Sequence, residues 1–489
     1  MRVRAAGRIL LVLVLVAGTV LSPAAQPPLF TDAFPPEEFA ARREQVFDAI
    51  GDAVAVLQGA AEYPAYVRFR QNNHFFYLTG VEVPRALLLL DGRQRSATLF
   101  LPDRDTALER SEGPRLVPGS EAERLTGIPR VLPRTAFAQA LRAVAPPGRR
   151  LFVPHRPESL GAATPYTAAR QAELSAADPW DGRVSRAEQF IRALRATAPG
   201  VEIRDLDPVL DRLRVIKSPR EIAHIREATR LAGEALLAVM RRARPGMREY
   251  ELEAIADYVF KRGGAQGAAY FALVATGPNA WYPHYHGRMG TLREGDLVLF
   301  DYGPDYNYYA ADVTRMFPAG GRFTAEQREL YGAYVRFYRE LMAAIGPGRA
   351  PQEVLQTAAA RMARVLGETA FRSARNRAAA EAFVAAMRKA PFWSLGHMVG
   401  MEVHDVQPFV ERFEPGMVFT IEPALTIPEE RIYIRLEDMI LITPDGYENL
   451  SGFVPIEPDA IERHMGSGKP ETGNRKRETE SRRRELPGS

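Results

Sequence analysis

Five side chains with the chemistry of metal ligands lie in the second half of this 489-residue chain: Asp301, Asp312, His397, Glu422 and Glu437. Asp301 ends the apolar run Leu297 to Phe300, inside the stretch GDLVLFDYGPDYNYYAADVTRMF from Gly295 to Phe317. A turn-rich segment follows, with Gly303, Pro304, Asp305 and Asn307, and then a second strand-like run that carries Asp312. Read as a hairpin, this sets two carboxylates on adjacent antiparallel strands at the mouth of a buried sheet. Taken alone, the pair reads equally well as two turn-forming aspartates. Three further groups shift that balance. Glu422 closes a second apolar run, GMVFTIEP; Glu437 sits in IRLEDMILIT; His397 sits in SLGHMVGMEVHD. Carboxylates at the ends of buried runs are costly without a partner. Four of them with one imidazole suit divalent ions such as Mn(II), Co(II) or Zn(II). With bridging carboxylates, five ligands exceed the need of one ion, which points to a two-metal site.

The elements that must position these groups form a repeat. Gly295 precedes Asp301 by six residues, and Gly416 precedes Glu422 by six. Upstream, Pro245-Gly246 and Pro347-Gly348 each open a helix-like stretch, and the paired features lie 102 and 121 residues apart. This is the pattern of a degenerate internal duplication. Asp301 and Asp312 come from the first half, Glu422 and Glu437 from the second. Ser218-Pro219-Arg220-Glu221 is a helix start, with Ser as cap, Pro at the first position and Glu at the third. Helical spacing follows to Met240. Helices are predicted over Glu249–Arg262, Thr324–Ile345, Gln352–Leu366 and 373–390. An extended segment is predicted over Ala268–Thr276, and strands around Glu402, Val418 and Ile432–Ile442. Arg435 and Glu437 would then share a strand face.

Upstream, Pro35–Ile50 reads as a helix. Strands are expected at Ala53–Leu57, Ala86–Leu90, Thr98–Leu101 and Leu151–Pro154. Helices are expected around Glu121–Leu125, Arg134–Ala143 and Arg183–Pro199, giving an α/β layer domain. The run Arg70-Gln71-Asn72 before Phe75, Phe76 and Tyr77 reads as a core strand with a polar edge.

The set Asp301, Asp312, His397, Glu422 and Glu437, with its motifs, resembles the aminopeptidase P and prolidase branch of the "pita-bread" metallopeptidases. The resemblance runs from about Pro36 to Phe453. It implies an α/β (α+β) fold: a pita-bread domain with pseudo-twofold duplication over 207–458, after a smaller α/β domain over 30–205. That smaller domain carries a YRQN-like run in the family and shapes the site's mouth and the oligomer contact, so a homo-oligomer is expected. The resemblance further implies a metal-dependent exopeptidase that releases the N-terminal residue of peptides with proline second. Two ions, Mn(II) first, would be bridged by Asp312 and Glu437, with Asp301 on one and His397 and Glu422 on the other. Hydroxide held between them attacks the scissile carbonyl, and Glu422 passes a proton to the leaving nitrogen. His284 and His404 match family histidines that handle the substrate and the developing oxyanion, and Arg435 matches a family arginine near the site. His286 has no counterpart. The chain departs from the family pattern at Trp393, where a histidine often stands, at Thr426, often tyrosine, and at Ala424, often glycine. Trp393, together with Tyr302, is read as an apolar wall of the substrate pocket. Two alternatives stay open: a dipeptidase for Xaa-Pro dipeptides, and a binding protein that keeps the fold without catalysis.

Composition narrows the setting. Arg2, Arg4 and Arg8 precede an apolar region, Ile9 to Val20, and small residues at Ser22–Ala25, so residues 1–25 read as a secretory signal peptide. The mature protein is then expected in a periplasmic or extracellular space, touching membrane only through the leader. The chain has no cysteine, which excludes disulfides and thiolate metal sites. The formal charge is +4, but the leader's three arginines and the net +3 of residues 467–489 account for more than all of it, so the body between is about neutral to slightly acidic, which argues against a nucleic-acid groove. Residues 466–489, charged and free of aromatics, read as a disordered tail. Peptides are the expected partners.

Overall fold

The computed structural model describes residues 33–466 except 65, 160, 163 and 392–394. The predicted leader, nearly all of the predicted tail and Trp393 lie outside the described residues.

The N-terminal part is built on a six-stranded mixed sheet. Its strands lie in the order Arg130–Pro133, Ser96–Leu101, Leu87–Asp91, Val54–Gln58, Arg150–Val153, Glu202–Asp205. The sheet is sandwiched because its strands alternate. Ala55, Leu57, Leu88 and Leu90 join the core shared with the helix Pro36–Ile50, while Val54, Val56, Leu87 and Leu89 face Leu141, Ile191 and Leu194 on the other side. One expectation fails here. The stretch after Arg70 is not a strand: Asn73–Thr79 is a helix. The Asn72 side chain accepts the Phe75 N–H at 3.1 Å, and Gly80 ends the helix at φ 67°. These two caps outweigh the β-preference of the aromatics between them.

Among the described residues the C-terminal part holds three three-stranded antiparallel sheets, and two of them carry the site. One is ordered Thr314–Pro318, Leu297–Asp301, Leu273–Thr276; the other is Val418–Ile421, Asp438–Thr443, Gly446–Asn449. Helices Pro219–Arg242 and Glu249–Arg262 belong to the first half, and Ala325–Met342, Pro351–Glu368 and Ala374–Lys389 to the second. The predicted cap at Ser218 forms, with Ser218 Oγ accepting from Glu221 N at 3.2 Å and the Glu221 carboxylate accepting from Ser218 N at 2.9 Å. The repeated glycines share a backbone conformation. Gly246 and Gly348 lie at φ 94° and 73°, and Gly295 and Gly416 at 85° and 93°. Each marks a left-handed turn that a side chain would strain.

Two strand expectations need correction. No strand forms around Glu402, which lies in a series of bends. The predicted strand Ile432–Ile442 is broken into Ile432–Arg435, paired with Ala424–Ile427, and Asp438–Thr443, paired with Val418–Ile421. At the break, Leu436 N–H donates to Tyr334 Oη at 2.9 Å and Glu437 N–H to the Thr314 carbonyl at 3.1 Å. The second bond ties the two halves together at the site. No helix among the described residues is long and apolar enough to cross a membrane.

Candidate metal centre

Asp301 is the last residue of its strand and pairs with Thr314, so the acid is delivered at the sheet's end. Asp312 lies two residues before the partner strand rather than on it. Glu422 directly follows the strand Val418–Ile421, and Glu437 sits in the break. His397 is pinned against Thr420, whose N–H donates to the His397 carbonyl at 2.8 Å and whose hydroxyl accepts the His397 N–H at 3.2 Å.

The five groups converge. His397 Nε2 lies 3.5 Å from Asp312 Oδ2, 3.5 Å from Glu422 Oε1 and 3.8 Å from Glu437 Oε1. Asp301, Asp312 and Glu437 form one set with ligand atoms within 4.8 Å of one another; His397, Glu422 and Glu437 form another. His397 Nδ1 lies 3.2 Å from the Met398 carbonyl, which assigns its proton there and leaves the Nε2 lone pair facing the acids.

The charge balance shows what the site lacks. Among the described residues, four carboxylates face one cation, Arg435, which contacts Asp301 Oδ2 and reaches Glu422 Oε2 at 3.2 Å. Glu437 Oε1 is buried without a hydrogen-bond partner. Burial, then the charge of Asp301, pushes the Asp312 carboxyl well above its ordinary range; burial, then Asp312, does the same to Glu437. Mutually repelling buried acids with an orphaned oxygen suit divalent cations. Arg435 therefore clamps Asp301 and Glu422.

The His404 ring lies against that of His397, with centroids 3.9 Å apart and the planes tilted by 33°. His404 is exposed overall, yet desolvation by its neighbours, then the charges of His397, His284 and Arg435, lowers its pKa to about 3. His284 is exposed near this pair, and His286 packs on Phe271 instead. Tyr302 is not a pocket wall. It is buried against Phe260, and its hydroxyl donates to Asp257 at 2.8 Å. Thr426 is exposed and pairs with Tyr433 across the strands.

Sequence reasoning missed three supporting hydroxyls. Tyr270 Oη lies 2.7 Å from Asp301 Oδ1 and 2.6 Å from Asp312 Oδ1. Thr314 Oγ1 donates to Glu437 Oε2 at 2.6 Å, and Thr420 Oγ1 to Glu422 Oε1 at 3.3 Å. Two-residue alternation could have flagged Thr314 beside Asp312 and Thr420 beside Glu422. Nothing in the local pattern singles out Tyr270.

Comparison with known proteins agrees with this geometry. Residues 223–444 match the model of metallopeptidase family M24, and residues 39–152 match the aminopeptidase P N-terminal domain. The chain is 33% identical over 457 residues to the Xaa-Pro aminopeptidase of Escherichia coli (strain K12), covering 88% of this chain and 97% of that protein. Two solved structures share the fold at a TM-score of 0.71. Aminopeptidase P from E. coli with the inhibitor Pro-Leu is 30% identical, covering 88% of this chain and 98% of the other. Proline aminopeptidase P II from Yersinia pestis is 31% identical, covering 88% and 99%.

Proposed function

The chain belongs to metallopeptidase family M24, in its aminopeptidase P branch, and from that premise we propose that it releases the N-terminal residue of peptides whose second residue is proline. The observation that carries this reading is the meeting of four carboxylates and His397 Nε2 in a chain alike, over nearly its whole length, to an Xaa-Pro aminopeptidase. Asp301, Asp312, His397, Glu422 and Glu437 would hold two divalent ions. Asp312 and Glu437 would be shared between the ions, since each has ligand atoms close to those of two different groups of candidate ligands. Two such ions supply Lewis-acid polarisation of a carbonyl and a water of lowered pKa.

The chain's own groups do the rest. Glu422 has a side chain 22% exposed, against 4% for Asp301, 7% for Asp312 and 1% for Glu437, so it meets the open side of the site. Its carboxylate takes a proton from the attacking water and delivers it to the leaving nitrogen, with Arg435 and Thr420 fixing its orientation. The neutral His404 ring donates an N–H to the carbonyl oxygen as charge develops there, and exposed His284 orients the substrate beside it. The free amine sits near Asp301. A prolyl nitrogen offers no N–H, so selection rests on ring shape and an apolar wall.

Mn(II) fits this oxygen-rich donor set, with Co(II) and Zn(II) as competitors that metal analysis separates. Export rests on the pattern of residues 1–25, and sequencing the mature N-terminus tests it. Self-association rests on the nearly fully exposed Tyr66, Trp180 and Phe409, and light scattering tests it. The activity itself is tested with Xaa-Pro and Xaa-Ala peptides of two to five residues and added Mn(II). Release of the first residue from Xaa-Pro tripeptides and longer is expected. Turnover of dipeptides alone, or of Xaa-Ala in preference, would reject the assignment.

A further inference from the structure

His404 stands on the segment Gly400–Asp405, which has no helix or strand of its own. Its position is therefore set by what grips that segment. From the N-terminal part, Arg70 Nη2 donates to the Met401 carbonyl at 3.1 Å, and Asn73 Nδ2 donates to the same oxygen at 3.3 Å. The Val403 N–H donates to the Ala162 carbonyl at 2.7 Å. Arg70 is itself fixed: its Nε donates to Asp305 at 2.7 Å, and its guanidinium lies 4.4 Å from the centre of the Tyr308 ring. From the helix Asp207–Val215, Arg214 Nη2 contacts both Glu402 and Asp405, the residues that bracket Val403 and His404. Lys217 Nζ lies 3.2 Å from the other Asp405 oxygen, and all four side chains are at most 5% exposed. His74, in the run that begins at Arg70, places Nδ1 3.2 Å from Arg214 Nη1.

We propose that Arg214 and Arg70 are positioning residues for His404, acting through the Gly400–Asp405 segment. The run Arg70–His74 thereby makes the N-terminal part a working piece of the catalytic centre rather than a neighbour of it. Displacing a reacting group by about 1 Å can cost about 10²-fold in rate. Both arginines grip the segment within three residues of His404, so their loss translates into that kind of displacement. The proposal rests on the peptidase reading only for what His404 does, not for how it is held.

The test uses Mn(II)-loaded full-length protein and an Xaa-Pro tripeptide. Arg214→Met should lower kcat by about 10²-fold with bound metal unchanged. Arg214→Lys should recover much of the loss, because one cationic nitrogen serves both carboxylates. In a His404→Ala background, Arg214→Met should cost less than about twofold, since nothing is left to position. Arg70→Gln tests the same claim at the other grip if Arg214→Met does not fold. A second readout does not need turnover. In chelated protein with ¹³C-labelled histidine, the His404 resonance, assigned by its loss in His404→Ala, should shift or broaden in each arginine variant while that of distant His464 stays. An unmoved His404 resonance, an equal loss of kcat in the His404→Ala background, or loss of metal would overturn the proposal. A parent without peptidase activity would defeat the functional reading and leave the spectra to decide the positioning claim.

Discussion

The Tyr270 hydroxyl lies within hydrogen-bond distance of both Asp301 and Asp312, yet it has one proton to give. In the metal-free site the second contact therefore needs a proton on a carboxyl, which agrees with the upward shift of Asp312. Once cations balance the acids, the phenol serves to orient one ligand oxygen. Tyr270→Phe keeps the buried ring and deletes that bond. It should weaken metal affinity by about 10- to 100-fold, read by titrating the chelated variant with Mn(II). Affinity equal to the parent would show that the hydroxyl is incidental. This residue also marks where reading the sequence stops. The acids and His397 were legible because a carboxylate at the end of an apolar run needs a reason to be there. A tyrosine in an extended, partly apolar segment needs none. Tyr302 misled for the same reason: its ring could face a pocket or a core, and only the Asp257 partner decides.

Among the elements, helices with explicit caps and periodic faces were legible nearly to the residue, such as Glu249–Arg262 and the Ser218-capped Pro219–Arg242. The duplication was legible too, since it rests on glycines that recur at turns of one handedness. What failed was local pattern overridden by surroundings. Asn73–Thr79 has strand-forming aromatics but helical caps, and the caps prevailed. Ile432 to Ile442 reads as one strand, yet it serves two sheets and breaks where Glu437 must reach the site. That break is hidden because Arg435-Leu436-Glu437 alternates polar and apolar, as one continuous strand would. The bends around Glu402 were hidden likewise, being held by Arg70 and Arg214 from far away in sequence.

Across the whole molecule, two related halves meet at Glu437 N–H and the Thr314 carbonyl, and the same junction collects four negative charges. That concentration makes the stability of the metal-free chain depend on pH. Burial and neighbouring acids raise Asp312 from 3.8 and Glu437 from 4.5. Above those values the folded chain holds protons that the unfolded chain has released, so stability falls as pH rises through the interval. Bound cations remove the cause. The difference in Tm between metal-loaded and chelated protein should therefore widen from about pH 4.5 toward neutrality; a constant or narrowing gap would contradict this account. The central claim is that these five side chains grip a catalytic pair of ions. It is tested most directly by chelating the purified protein and titrating Mn(II) back while following release of the first residue from an Xaa-Pro tripeptide. Activity should vanish on chelation and return to a plateau at two ions per chain. Turnover that survives chelation unchanged would contradict the claim.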